Sequence, residues 1–406
     1  MSDVLQKIIE YYMSSPNYNG LPIKSVAESV DYLEVEKLIR SGLVEAICGG
    51  INPHVKHFTK TETINNQLTH LFERNQDICL YPTQLALESI EKDNEKPYTR
   101  LLQSGYGQYE VLFFEVSVLE EYYNNPKYLL YDLGYRGSIY AREEYDEEDM
   151  IKDYGMAYHV SFKTTGDLDR AVAVFIHDLA KLSKKSQLKW YSREIDNQNE
   201  WEVNGGFIKN LVYGQWIDTI WIYTAFLQEQ IVINNMCEAI GINHIFIQTW
   251  SGEDYLRVPE GFRTIMFPTI KNYYEFITAL EKIACNNIST KAFTEPQFHS
   301  KAISQESNEG SIVLLGKWLK TNGMDESAVD DRIVSPLKKV RKIRQIPAHE
   351  LFRNVYDKTL YKEQNNLIEE VFMSIHALRI MLSRHPLAIN VEIPNYLDDL
   401  NCIAIY

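Results

Sequence analysis

Apolar residues recur at Val4, Leu5, Ile8, Ile9 and Tyr12, a three-to-four spacing that predicts a helix over 4–13. Residues 21–30 and 32–41 continue as helices, with Gly42 placed to end the second. Residues 43–48 read as a strand, Gly49 and Gly50 as a turn, and 55–58 as a returning strand. A linker helix follows within 75–96, and 109–116 fits strand and helix equally. Residues 129–145 mix Tyr and Gly with short strand-like runs and end in the acidic run 143–149, a solvated loop.

Residues 167–183 predict a helix through Leu168, Ala171, Val172, Val174, Phe175, Leu179 and Leu182. Gly205 and Gly206 mark a turn, and 218–240 predicts a long buried helix. The β-branched and aromatic stretches 242–250 and 262–267 read as strands, and 271–284 as an amphipathic helix. The polar segment 286–309 reads as a linker. Helices are then expected over 311–322, 327–342, 348–354 and 360–383, followed by an extended tail over 391–406. The last helix has the clearest stripe, through Leu367, Ile368, Val371, Phe372, Ile375, Leu378 and Leu382.

These elements describe an α+β multidomain chain: residues 1–75, a central mixed α/β domain over 76–290, and an all-α helical domain over 291–406. Its 406 residues are too many for one core. Three short helices and a hairpin make 1–75 resemble a winged-helix module, with 32–40 as recognition helix and 49–54 as wing. Asp31, Glu34 and Glu36 stand there beside only Lys37 and Arg40, which favours contact or sensing over DNA reading.

The net charge of −15 and pI near 5.2 exclude a chain coated in nucleic acid throughout. The deficit is uneven. From Lys291 onward there are 15 basic and 15 acidic residues, against 26 and 41 before it. Five scattered cysteines without a CxxC pair point to a reducing compartment, with no zinc ribbon and no disulfide framework. Without a signal-peptide pattern or an apolar run long enough to span a bilayer, the expectation is a cytoplasmic protein off the membrane.

The candidate chemistry lies in Lys338 to His349, Lys-Lys-Val-Arg-Lys-Ile-Arg-Gln-Ile-Pro-Ala-His. Arginine offers a fork of donors to phosphate, and histidine moves protons near neutrality. Pro347 predicts a helix break, placing His349 in the first turn of a new helix, where free amides attract anions. Arginine, imidazole and helix N-terminus would then meet on one phosphate.

An Arg, four intervening residues and a His inside an all-helical C-terminal domain resembles the HEPN superfamily, over about 298–386. Many of its members are metal-independent endoribonucleases of bacterial toxin and antiphage systems. Gln345 follows the arginine where active members often carry Asn, Asp or His. The resemblance implies that Arg344 and His349 are catalytic, without cofactor or metal. The RNA 2′-hydroxyl would attack its own phosphate, His349 moving the proton and Arg344 steadying the charge. It also implies a homodimer. Lys338, Lys339, Arg341 and Lys342 would hold the RNA backbone, with Asn354, Tyr356 and Tyr361 flanking the site. The alternative is a non-catalytic regulator that binds nucleic acid or a protein partner and dimerises through the bundle.

Three weaker signals remain. His177-Asp178, in the string HDLAK, resembles the dyad of HD-domain phosphohydrolases, with His159 and Asp218 as the available completions; a polar helix face explains it as well. His54, His57 and His70 lack a completing metal pattern. His376, beside the last apolar stripe, is expected to be a satisfied core histidine.

Overall fold

The computed structural model describes residues 2–25, 31–48, 52–56, 62–73, 77–145, 149–161, 169–215, 219–248, 250, 258–297, 299–306, 309–349 and 353–405, with the side chains of 132 and 347–349 excepted. The fold is mixed α and β. The chain divides into two compact units, one of 1–130, 138–160 and 170–215, the other of 131–137, 161–169 and 216–406. The expected boundaries after 75 and 290 fall inside these units.

The first unit opens with α1 (Asp3–Ser14), capped by Ser2 and burying the expected stripe. Leu21–Pro22 is a strand, β1, and 23–25 a 3₁₀ turn, where a helix is expected; 26–30 lie outside the described residues. Helix α2 (Tyr32–Arg40) is capped by Asp31. Gly42 ends it at φ +72°, with Leu43 N–H donating to the Leu38 carbonyl at 3.0 Å.

Strand β2 (Val44–Cys48) does not return directly. Residues 52–56 form no strand, the expected turn at Gly49 and Gly50 lies outside the described residues, and helix α3 (Ile64–Phe72) intervenes. The returning strand is β3 (Ile78–Pro82), antiparallel to β2 from Val44↔Pro82 to Cys48↔Ile78, in a sheet ordered β1-β3-β2. A cut after 75 would therefore remove β3 from its partners. Helix α4 (Gln84–Leu87) follows. The Tyr12 hydroxyl donates to the Leu102 carbonyl, and Gln108 Oε1 accepts from Lys56 N at 2.9 Å. These bonds join the N-terminal elements to α5 (Pro97–Gln103) and the residues after it.

A second sheet runs β4-β8-β7-β6-β5: β4 (Val111–Glu115), then α6 (Glu120–Tyr123), β5 (Tyr128–Asp132), β6 (Arg136–Ala141), β7 (Asp153–His159) and β8 (Arg170–Phe175). The predicted helix over 167–183 is thus corrected: 170–175 is a central strand, and only α7 (Ile176–Ala180) is helical there. Ala171 to Phe175 are buried throughout, between β4 and β7. A strand covered on both faces shows a continuous apolar run, which periodicity does not separate from a buried helix.

Asp149 anchors α8 (Lys184–Tyr191) by accepting from Ser183 N and Oγ and Ser186 Oγ at 2.5–2.7 Å. Strand β9 (Trp201–Val203) pairs with β7. Gly155 on β7 has no side chain where α9 (Gly205–Tyr213) rests, since an added Cβ would lie 2.7 Å from the Phe207 ring.

The second unit has one apolar core from Trp221 to Leu397. Strand β10 (Ile220–Trp221) pairs in parallel with β11 (Ile403–Ala404), and α10 (Ile222–Ile240) follows β10 directly. The strands expected over 242–250 and 262–267 are absent among the described residues. Side-chain amides replace a neighbouring strand: Asn234 bonds both N (3.0 Å) and O (2.9 Å) of Phe246, and Gln364 accepts from Ile265 N and donates to the Arg263 carbonyl. Helix α11 (Ile270–Glu281) ends in a π-turn, 282–286.

The expected linker 286–309 includes α12 (Lys291–Thr294), whose Phe293 is buried against Trp318 of α13 (Ser311–Thr321). Helix α14 (Glu326–Val329) and a second π-turn, 330–334, lead into α15 (Ser335–His349). Helix α16 (Thr359–Ser383) matches its expectation. The tail is not simply extended, since α17 (Asn395–Asp398) precedes β11. Among the described residues, no helix is long and apolar enough to cross a membrane.

Candidate functional site

Helix α15 packs through Leu337 and Val340 and turns its cations outward. Lys338, Lys342 and Arg344 are exposed and have no ion pair among the described residues. Lys338 and Lys342 lie one turn apart on one face. Lys339 is paired with Glu370 of α16. Arg341 is half-buried: its Nη2 donates to Asn286 Oδ1 at 3.4 Å and Ser311 Oγ at 3.3 Å, and its Nε lies 3.8 Å from Glu281. It ties α15 to the end of α11 and the start of α13. Of the four cations expected to hold RNA, two are free to do so.

The predicted helix break is corrected as well. Helix α15 runs through Pro347 to His349, so no new helix starts at 347. The proline forgoes its own amide bond. Arg344 and His349 therefore share one helix, their Cα positions about 140° apart around its axis. His349 is the last described residue of the helix, and 350–352 lie outside the described residues. Its side chain lies outside the described residues.

The flanking residues also divide. Asn354 Oδ1 accepts from Lys271 N at 3.0 Å, and the buried Tyr361 donates its hydroxyl to the Met266 carbonyl at 2.8 Å. Both hold the 266–271 segment. Tyr356 is half in water, its ring 5.2 Å from Phe267.

A second charged cluster, not expected from the chain, sits between α10 and α16. Glu229 is fully buried, with Arg379 Nε donating to Oε2 at 2.7 Å and His376 Nδ1 2.8 Å from Oε1. Arg379 also donates to the Leu397 carbonyl and Asp398 Oδ1, both at 3.0 Å. His376 is indeed a partnered histidine, its ring stacked on Phe372. The available signal is Glu229 inside an apolar helix and Arg379 inside the stripe of α16.

His177 Nε2 lies 3.0 Å from Asn17 Oδ1 and its Nδ1 3.5 Å from Asp178, while His159 faces Glu200 at 3.3 Å. Asp218 and His57 lie outside the described residues. His54 Nδ1 is 3.6 Å from Cys79 Sγ and His70 is 3.3 Å from Glu62. Among the described residues, no three His, Cys, Asp or Glu side chains gather as a metal site. Burial pushes the thiols of Cys79, Cys237 and Cys285 up to about 12, away from nucleophilic use.

Comparison with family models, with curated proteins and with solved structures finds no match for this chain.

Proposed function

We propose that the C-terminal helices bind RNA along α15 and that Arg344 and His349 cleave it without metal, in the manner of a HEPN-type toxin or antiphage endoribonuclease. The observation that carries the reading is the set of exposed cations on α15, Lys338 and Lys342 on one face and Arg344 on another, without ion pairs among the described residues, in a chain that is acidic overall. Phosphate contact by such cations releases counterions and gives salt-dependent binding. In this reading Arg344 meets the charge on the scissile phosphate and His349 transfers the proton of the 2′-hydroxyl. Because their backbone positions lie about 140° apart on one helix, a second copy supplies the complementary residue, and the active form is a homodimer.

The N-terminal sheet order β1-β3-β2 beside α1 and α2 supports a winged-helix-like module. On α2, Arg40 is bound to Glu36 at 2.8 Å, so a protein-contact or sensing role is proposed for it rather than DNA reading.

A second reading, RNA or partner binding without cleavage, is favoured by the same angular separation. The test is incubation with total tRNA and mRNA in EDTA, beside Arg344→Ala and His349→Ala. Cyclic-phosphate ends produced by the wild type alone support the nuclease. Binding without cleavage supports the regulator.

A further inference from the structure

The segment between α15 and α16 presents an aromatic ring in a basic setting. Tyr356 is 50% exposed and lies against Phe267, ring centroids 5.2 Å apart at 58°. Its backbone is pinned on both sides: Ile270 N donates to the Val355 carbonyl at 3.1 Å and Asp357 N to the Pro268 carbonyl at 2.8 Å. The ring is therefore held on a fixed bed rather than on a free loop.

Lys271 and Arg353 lie on the two segments that meet beside it. The Asn354 side chain, next to Arg353, accepts from Lys271 N at 3.0 Å, which joins the backbones of these segments. Both cations are exposed, and neither has an ion pair among the described residues. Two nearby charges are engaged elsewhere: Lys358 with Asp169 at 2.8 Å, and Asp357 with Thr359 N and Oγ1 at the start of α16. Hydrogen bonds from Thr359 hold the Asp357 carboxyl below its ordinary range.

A half-exposed ring on a hydrogen-bonded backbone, with two exposed cations on the same pair of segments, suits a nucleobase with its phosphates: the base stacks and the cations meet the backbone. A protein surface would leave Lys271 and Arg353 to be matched by carboxylates. We propose that Tyr356, seated on Phe267 where the segments carrying Lys271 and Arg353 meet, is a stacking platform for one unpaired base of single-stranded RNA. This rests on the RNA-binding reading above.

The test is fluorescence anisotropy of the full chain with labelled single-stranded and duplex RNA in EDTA. Tyr356→Ala is expected to bind single strands about 5- to 150-fold more weakly, with the salt slope unchanged. Tyr356→Phe should keep affinity, and Tyr356→Trp should show indole fluorescence quenched by single strands. The Lys271→Ala/Arg353→Ala pair should flatten the salt slope. Wild-type affinity in Tyr356→Ala, with binding weakened by Lys338→Ala/Lys342→Ala, would overturn the platform and leave the RNA reading standing. A wild-type chain that binds no RNA removes both. A Tyr356→Ala chain altered only in oligomeric mass would make the ring a protein contact and overturn the platform.

Discussion

Arg379 and Arg344 belong to the same helical unit and have opposite surroundings. Arg379 is sealed from water and donates to Glu229, Leu397 and Asp398, whereas Arg344 is exposed and has no ion pair among the described residues. A buried guanidinium must have its donors met, because each charge taken from water costs several kcal/mol unless paired. An exposed one keeps its hydration and can exchange it for a phosphate. Charge on a helix therefore indicates function only once burial is known: Arg379 holds the fold and Arg344 is free to act.

The largest expected effect lies at the buried cluster. Arg379→Ala should cost about 3–5 kcal/mol in urea unfolding, because the buried Glu229 loses its permanently charged partner and keeps only His376. A double change of Arg379 and Glu229 to Met should cost less than the arginine change alone. If Arg379→Ala unfolds like wild type, the contrast with Arg344 collapses. At the exposed row, Lys338→Ala/Lys342→Ala should leave stability within about 0.5 kcal/mol and flatten the salt dependence of RNA binding by about two units of slope. A change in melting without one in RNA binding would reverse the assignment.

Asp149 is an intermediate case, a surface carboxylate with three hydrogen bonds. Burial pushes its carboxyl up, but the bonds from Ser183 and Ser186, helped by Lys185, outweigh this and leave it below its ordinary value. A folded-state pKa below the unfolded one stabilises above the unfolded pKa of about 4 and is lost as pH falls below it. Asp149→Asn should therefore cost about 1 kcal/mol at neutrality and flatten the acid limb of the stability profile. The smallest effect is expected from Lys339→Ala: its exposed pair with Glu370 is worth about 0.2–1 kcal/mol in thermal melts.

Much of the fold was legible where one side of an element is wet. Helices α1, α2, α13 and α16 follow their apolar stripes, and Gly42 ends α2 as its position implies. The reading failed where both sides are dry. Strand β8 reads as a helix in the sequence because Ala171 to Phe175 lacks the polar positions that reveal a period. Phe246 and Ile265 read as strand residues, but Asn234 and Gln364 bond to their backbone from distant helices. At the candidate site, the cations of α15 could be read from the chain. The company of Arg341, Asn354 and Tyr361 could not, nor could Phe267 and Lys271 beside Tyr356.

What the chain determined by itself is local: which faces are apolar, where helices are capped, and that its positive charge gathers late, between Lys338 and Arg344. Those properties depend on neighbours a few residues away. Which arginine is buried, whether Pro347 breaks its helix and which tyrosine keeps a free face were decided by tertiary packing. Burial and hydrogen bonding depend on residues brought together from far along the chain, and these set the cost of leaving a charge or a carbonyl alone.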